Sequence, residues 1–406
     1  MSFFQRQINE VAHDPALRLY GACLAAINSL SAYFWLTVEP IDRVLAPTTP
    51  PVCWPFVPGC TLLRIMTQGQ VAAVVWVILC AGLINSALFA SPRLVRVAYW
   101  ALFLVTAMKC ALIVQDYRLI HNEHYMANSA IAVFLFVPTK RVALKYIIVL
   151  FYVWAGLLKL NMGWISGAAL YGRRPLGIPG ELVPAACAYV IVLELFIVFG
   201  LLATARWALW TSLAQLVLFH VSSFWVVGFF YPLLMFLILA LFPLCSYIPS
   251  AAPGESDSSW FVPPGRPAIW VILSFSVLQC IPRLYPGRSA LTGEGRAFAL
   301  HMFDAPVQCR AEQLFHLPSG ETRAVVVRPP FVYPRTACDP LVFFELATDY
   351  CRTHAGELPL IDFDLTLRSR TYGQTDYVTI VSIMSFCATK PTYTVWRHNP
   401  WIHTSH

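Results

Sequence analysis

The sequence predicts a polytopic α-helical membrane protein with about nine transmembrane helices and a small C-terminal exoplasmic α+β domain. Three observations predict this fold class. Of the 406 residues, 58% are hydrophobic and only 12% are charged, a composition that cannot cover the surface of a soluble protein. The hydrophobic residues form runs of about 20, the length needed to cross roughly 30 Å of hydrocarbon. Charged residues become frequent again only towards the C-terminus.

The predicted transmembrane domain spans residues 1–284. Its long apolar runs lie near residues 17–37, 70–90, 95–114, 142–163, 182–204 and 206–248. The last run is long enough for two helices with a bend near Gly228 and Pro232. Shorter runs at 125–137 and 267–282 complete the count. The N-terminal segment lacks a short apolar core before a small-residue cleavage site, so the first run is expected to be a retained span.

Lysine and arginine residues mark alternate ends of these runs. They are Arg6 and Arg18, then Arg93 and Arg96, then Lys140, Arg141 and Lys145, and finally Arg206. Because cytoplasmic loops are enriched in these residues, the loop from Thr37 to Gln70 and the chain beyond Tyr285 are expected on the exoplasmic face. The net charge of +7 is spread along loops and forms no basic stripe. The expected partner is therefore a lipid bilayer and not a nucleic acid.

Residues 285–406 are predicted to form the small exoplasmic α+β domain. The stretch VFFELATDYC has a helical pattern, and LIDFDLTL and YVTIVSIMSF alternate as strands do. Six cysteines fall on the predicted exoplasmic side, where disulfides persist, but their spacing leaves the pairing open. They are Cys53, Cys60, Cys309, Cys338, Cys351 and Cys387.

A single lysine, Lys159, lies near the exoplasmic end of the predicted span 142–163. A lysine at the centre of a bilayer costs on the order of 2.5–3.5 kcal/mol on insertion scales, so its presence needs a cause. One alternative is snorkelling, in which the stem stays in lipid while the ammonium reaches water. The other is a lysine that faces a cavity and acts as a neutral general base. Glu194, a lone carboxylate in mid-span, is expected to be neutral or paired and receives no role.

Two more polar stretches interrupt the apolar sequence. HNEHYMANS, residues 121–129, brings two histidines, a carboxylate and two asparagines to the start of a short run. It is either a polar loop without a special task or part of a site. The i, i+3 spacing of His121 and His124 is only a weak metal motif, and no metal is predicted. His220, in QLVLFHVSSFW, is expected to hydrogen-bond between helices.

These stretches share their patterns with one family. Residues 155–167, AGLLKLNMGWISG, contain the pattern G-x-x-K-L-x-x-x-W-x-x-G, and residues 219–230, FHVSSFWVVGFF, match FHCMNSQLFSIGMF. Residues 122–124, NEH, stand where the same family has N-N-H. In these patterns the chain resembles the vitamin K-dependent γ-glutamyl carboxylase family, including its bacterial, horizontally transferred transmembrane members.

The resemblance implies roles for individual residues. Lys159 and His124 fall on catalytic positions of the family. Contacts to quinone or substrate are implied for Asn122, Glu123, His220, Phe229 and Met302. At two places the chain departs from the family pattern, because Glu123 replaces an asparagine and residues 298–303 read FALHMF in place of Y-x-W-D-M-M.

A disulfide is also implied by the resemblance. Cys53 and Cys351 match two cysteines that join the first exoplasmic loop to the C-terminal domain in the family. The resemblance therefore favours a bond between Cys53 and Cys351 over a local bond between Cys53 and Cys60.

The implied activity is the oxygenation of reduced vitamin K, or another naphthohydroquinone, to its epoxide. The strong base produced would remove a γ-hydrogen from glutamate, and the carbanion would take CO2, so that O2 and CO2 are co-substrates and a glutamate-bearing peptide or protein is the partner. Lys159 would remove the first proton from the quinol. Two alternatives stay open: a quinone epoxidase or oxygenase that acts on another substrate, and a non-enzymatic quinone-binding membrane protein or transporter.

Overall fold

The computed structural model describes residues 2–57, 60, 64–170, 178–248, 260–301, 307–317, 319–330, 336–356, 362–371 and 374–404. Within these residues the chain is mostly helical and ends in a four-stranded sheet. The helices are α1 Phe3–His13, α2 Pro15–Thr37, α3 Ile41–Val44, α4 Gln68–Ala90, α5 Val95–Ile113, α6 Asn122–Phe136, α7 Lys140–Leu158, α8 Met162–Ile165, α9 Val183–Leu195, α10 Arg206–Val227, α11 Phe230–Leu239, α12 Leu241–Tyr247, α13 Arg266–Cys280, α14 Ser289–Thr292, α15 Pro340–Thr353 and α16 Phe386–Thr389. The strands are β1 Val307–His316, β2 Thr322–Val327, β3 Asp362–Thr371 and β4 Val378–Ile383.

Eight helical segments of the described chain are long and apolar enough to cross a membrane. They are Pro15–Thr37, Gln68–Ala90, Pro92–Ile113, Lys140–Leu158, Gly180–Leu202, Arg206–Val227, Phe230–Tyr247 and Arg266–Leu284. Each coincides with a predicted run, which confirms a polytopic helical integral membrane protein. The ninth predicted span is present as α6, but its 15 residues are too few to cross the hydrocarbon alone. The orientation of the helices stays a prediction.

The predicted bend in the run 206–248 lies at Gly228. This residue ends α10 with a φ of +79°, a left-handed backbone conformation that glycine adopts at no steric cost. Pro232 lies in the first turn of α11, where its missing N–H would have no intrahelical partner. The run therefore contains two spans, as the sequence predicts.

The chain forms two compact units. The helical unit comprises Met1–Val38, Ala73–Cys110 and His121–Gln279. The second unit comprises Glu39–Ala72, Ala111–Ile120 and Cys280–His406. Two loops between helices thus belong to the same unit as the C-terminal sheet. The sequence alone assigned both loops to residues 1–284.

The second unit is built on an antiparallel sheet with strand order β2-β1-β3-β4. Phe363 on β3 stacks on Phe386 at a ring distance of 5.6 Å, and Phe386 lies at 5.6 Å from Phe344 on α15. These rings form an apolar core between the helix and one face of the sheet. The helix α15 and the strands β3 and β4 confirm the sequence prediction. The sequence did not predict the strands β1 and β2, and five of the six residues of β2 are exposed.

The predicted disulfide between Cys53 and Cys351 is wrong. Cys53 is bonded to Cys60, with 5.5 Å between their Cα atoms, and Cys351 is bonded to Cys387, with 5.4 Å between theirs. Cys351 lies at the end of α15, which packs beside α16 and its Cys387, whereas Cys60 is only seven residues from Cys53. The third bond joins Cys309 to Cys338. The cysteine spacing in the sequence left the pairing open, and the fold decides it by bringing these pairs of cysteines close together.

Glu345 on α15 makes the stability of the second unit depend on pH. The pKa of its carboxyl is raised from 4.5 to about 7, chiefly by burial, while a hydrogen bond from the backbone of Cys53 lowers it and the nearby Asp116 acts with burial. Because the folded-state pKa exceeds the unfolded value, Glu345 contributes stability that is complete below about pH 4.5 and lost as pH rises through about 7.

We expect wild-type protein to lose on the order of 2 kcal/mol of unfolding free energy between pH 5 and pH 8 relative to Glu345→Gln. Thermal unfolding in detergent at a series of pH values measures this difference. The exposed Glu321→Gln is the control and should follow the wild-type curve. Parallel curves for wild type and Glu345→Gln would contradict the prediction.

Candidate functional site

Lys159 lies at the C-terminal end of α7, where the chain turns into the short helix α8. Its amide N–H donates to the carbonyl of Gly156 at 3.1 Å, which closes the last turn of α7. Asn161 caps α8 by accepting from the amide of Trp164 at 2.9 Å and donates to the carbonyl of Leu158 at 2.8 Å. The turn is therefore fixed by its own sequence, and it holds the lysine stem against the neighbouring helix.

Four of the spaced residues of the stretch 155–167, namely Gly156, Lys159, Trp164 and Gly167, pack against α9. A Cβ atom on Gly156 would lie 2.8 Å from Leu195 and 3.1 Å from Cβ of Glu194, and one on Gly167 would lie 2.8 Å from Val183. Glycine at both ends allows this close approach. Between them, the Trp164 indole N–H donates to the carbonyl of Cys187 at 2.9 Å. The G-x-x-K-L-x-x-x-W-x-x-G pattern thus has a packing function.

Glu194 is the partner of Lys159. The Lys159 Nζ atom lies 2.6 Å and 2.8 Å from the two carboxylate oxygens, and the side chains are 1% and 0% exposed. The Trp164 ring covers the ammonium at 5.3 Å. This burial argues against snorkelling, which needs the ammonium in water. The Glu194 carboxylate is therefore paired, one of the two states expected from the sequence. The pair carries no net charge, whether the shared proton is on the Lys159 amine or on the Glu194 carboxylate.

His220 on α10 contributes a second polar contact near this pair. Its Nε2 atom lies 2.7 Å from the Tyr152 hydroxyl on α7, so the predicted bond between helices is confirmed. Tyr152 precedes Lys159 by seven residues and shares its face of the helix. Lys159 is close enough to His220 to act on it electrostatically. Tyr152, Lys159, Glu194 and His220 are called the lysine–glutamate cluster below.

A second group of polar side chains is buried at the start of α6. The His124 ring centroid lies 4.9 Å from that of Trp35 and 5.5 Å from that of His121. The Glu123 carboxylate lies 4.0 Å from His121 Nδ1. Neither ring nitrogen of His124 has a hydrogen-bond partner among the described residues. Asn122, Glu123 and His124 are all buried, so this stretch is not a solvent-exposed loop.

Sequence reasoning missed Lys109, which belongs to the same group. This lysine lies four residues before the end of α5, is 0% exposed, and its Nζ atom has no hydrogen-bond partner in the described part of the chain. It lies within electrostatic range of His124. A lysine flanked by the apolar residues of VTAMKCALIV was the signal that could have found it. Trp35, Lys109, His121, Glu123 and His124 are called the histidine cluster below.

The first turn of α11 connects the two clusters. Phe230 lies 5.4 Å from the His124 ring, and the adjacent Tyr231 lies 5.3 Å from the His220 ring. Phe229, predicted to contact quinone, packs at 5.7 Å from Tyr33 on α2. The structure thus brings His124 and His220 to neighbouring residues of one helix.

Some predicted features cannot be placed in this arrangement. Met302 and the following Phe303 lie outside the described residues. Across the part of the chain that the structure describes, there is no group of three or more His, Cys, Asp or Glu side chains that could hold a metal ion. Cys53 belongs to the second unit, in its bond with Cys60.

The fold and the two clusters define a polytopic helical integral membrane protein with ionisable groups buried between its helices. Comparison of the chain with protein-family models, with curated proteins and with solved structures finds no match.

Proposed function

We propose that this chain is an integral membrane enzyme that converts a reduced naphthoquinone to its epoxide and carboxylates glutamate side chains with CO2. The observation that carries the proposal is the Lys159–Glu194 pair, buried between α7 and α9 beside the Tyr152–His220 bond. Buried ionisable groups in membrane helices are costly and are typical of functional sites. The resemblance of residues 155–167 to the carboxylase family supports the choice of reaction.

The described residues suit a quinol. Aromatic side chains around His124 and His220 match a flat apolar ring, and the unpartnered nitrogens of both histidines match its oxygen substituents. His220 Nδ1 and the two nitrogens of His124 are the atoms that would hold these oxygens. A reduced naphthoquinone would supply the electrons for O2 and, through that oxidation, the base that takes the glutamate γ-hydrogen.

Lys159 and Glu194 would act as one proton acceptor. A neutral amine or a carboxylate can accept the hydroxyl proton of a bound quinol, and the second group of the pair keeps the charge balanced. Because both side chains are buried, the acceptor is shielded from water that would quench a strong base. The Glu194 carboxylate also explains why a lysine is tolerated at position 159, inside a membrane-spanning segment.

We also propose that the second unit lies on the exoplasmic face and receives the glutamate-bearing peptide or protein. All three disulfides belong to this unit, and disulfides persist in oxidising compartments. The positive residues at alternate helix ends support the same orientation.

Epoxide formation by purified protein in detergent tests the proposal. With reduced vitamin K and O2, wild-type protein should form epoxide, and Lys159→Met should lower the rate per folded molecule by about 10²-fold or more, the range typical of a lost general base. Lys145→Met, on the same helix, is the matched control and should retain the rate. Labelled CO2 and a glutamate peptide report carboxylation in parallel.

Each further outcome has a defined meaning. Full epoxide formation in Lys159→Arg would contradict the proton-acceptor role, because arginine does not release its proton. Epoxide without carboxylated glutamate would keep the oxygenation and remove the carboxylation from the proposal. Absence of epoxide in the wild type would overturn both.

A further inference from the structure

Lys109 is a buried cation for which the described residues offer no counter-ion. It is 0% exposed, and its Nζ atom has no hydrogen-bond partner in the described chain. An isolated ammonium in an apolar interior is strongly disfavoured unless an anion or several acceptors satisfy it. The buried Lys159 ammonium has the Glu194 carboxylate as its counter-ion, whereas Lys109 does not contact that carboxylate. A third buried lysine, Lys140, donates to Gln7 and to the carbonyl of Val137, so that among the described residues Lys109 is the buried lysine without a partner.

The packing of three helices brings Lys109 towards the end of α2 and the start of α6, where the His124 ring lies. Tyr20 on α2 and Tyr99 on α5 both lie 6.5 Å from Phe134, near the end of α6. Further along both helices, the Asn28 amide donates to the Thr106 hydroxyl at 2.9 Å. The helices α2 and α5 therefore run in the same direction.

The helix α6 runs the opposite way, so its first turn lies where α2 and α5 end. Trp35 lies 4.9 Å from His124 at this level. Lys109 follows Thr106 by three residues, about 4.5 Å along α5 towards this end, and it lies within electrostatic range of His124. Three unpartnered buried groups, the Lys109 ammonium, the His124 ring nitrogens and the Trp35 indole N–H, thus belong to one region.

The surroundings of these groups specify the ligand chemistry. Phe230 lies 5.4 Å from His124 and stacks on Phe34 at 4.5 Å, so the walls are aromatic. One ammonium with neutral donors balances a single negative charge, whereas a phosphate would bring nearly two. The Glu123 carboxylate lies 4.0 Å from His121 and forms no ion pair with Lys109. A carboxylate with an apolar body meets all these conditions.

From these groups, the geometry points to a binding site for an apolar carboxylate, in which Lys109 pairs with the carboxylate and Trp35, Phe34 and Phe230 enclose its apolar body. This site shares its aromatic walls and the His124 region with the proposed quinol site, so the two ligands would compete for it, but the test of carboxylate binding needs no turnover and does not depend on the proposed oxygenation. Sodium benzoate is the probe, because it joins a carboxylate to a flat apolar ring. Benzamide has the same ring without the charge.

Thermal unfolding of the full chain in detergent tests this site. Benzoate should raise the Tm of wild-type protein in a saturable manner, and benzamide or an equal concentration of sodium chloride should leave it unchanged. In Lys109→Met the benzoate response should disappear. This variant should also have a higher Tm than wild type without ligand, because methionine removes an unpaired buried charge.

The double variant Lys159→Met/Glu194→Leu separates this site from the proposed catalytic pair, because it removes both charges of the pair without leaving one of them buried alone. It should retain the benzoate response, whatever happens to epoxide formation. The inference is overturned if wild-type protein shows no saturable shift, if Lys109→Met responds as wild type does, or if the folded double variant loses the response. The lower Tm of a poorly folded variant cannot imitate the expected result, because Lys109→Met is expected to gain stability.

Discussion

Lys159→Met is expected to destabilise the helical unit by about 3–5 kcal/mol, because it leaves the Glu194 carboxylate buried without a partner. The two side chains are 1% and 0% exposed and lie 2.6 Å apart at their closest atoms. Their attraction offsets the desolvation of both charges only while both are present. Glu194→Leu, which strands the ammonium instead, should cost a similar amount.

The double variant Lys159→Met/Glu194→Leu distinguishes this explanation from a simple loss of packing. With both charges removed, most of the stability should return, because an apolar pair of similar volume avoids the desolvation cost. Thermal unfolding of the two single variants and the double variant in one detergent gives the coupling energy. Lys145→Met should change the unfolding free energy by no more than about 0.5 kcal/mol. Additive losses in the double variant would disprove the pairing.

Asp116→Asn is expected to destabilise the second unit by about 3–5 kcal/mol, since it removes the only charge that the described structure pairs with Arg64 and Arg118. Arg118 is fully buried and donates to both carboxylate oxygens at 2.8 Å. It also donates at 3.0 Å to the carbonyls of Pro50 and Pro330. Arg118, held by the Asp116 carboxylate, thus ties together three distant segments of the unit, and an amide keeps the shape of the carboxylate but not its charge.

A surface pair provides the matched control for Asp116. Asp349 and Arg352 form an ion pair in which the arginine side chain is 58% exposed, so Asp349→Asn should cost no more than about 1 kcal/mol. Chemical unfolding of the full chain, followed by protease cleavage within 285–406, reports the stability of the second unit. Equal effects of Asp116→Asn and Asp349→Asn would contradict the central role of the buried carboxylate.

The helical part of the fold was largely predictable from residue patterns. Runs of about 20 apolar residues have one stable solution in lipid, a helix that satisfies its own backbone hydrogen bonds. Gly228 and Pro232 marked the division of the longest run, because glycine and proline act on the backbone at their own positions. The strands β1 and β2 were not predicted, because an antiparallel strand is stabilised by its neighbours and β2 is mostly exposed.

Parts of the candidate site were also visible in the sequence. Lys159, His124 and His220 stood out because polar groups in apolar runs need a cause, and all three are buried. Lys109 has the same property and was passed over. Its distinguishing feature is the lack of a partner, which no linear pattern can show.

The sequence by itself determined that this is a polytopic helical membrane protein with a C-terminal α+β part, because hydrophobicity and residue period act locally. Only the tertiary structure decided which side chains form pairs. It joined Lys159 to Glu194, His220 to Tyr152 and Cys53 to Cys60, and it left Lys109 without an anion among the described residues. Partners distant in the chain meet only when helices pack, so the distance between them is a property of the folded molecule.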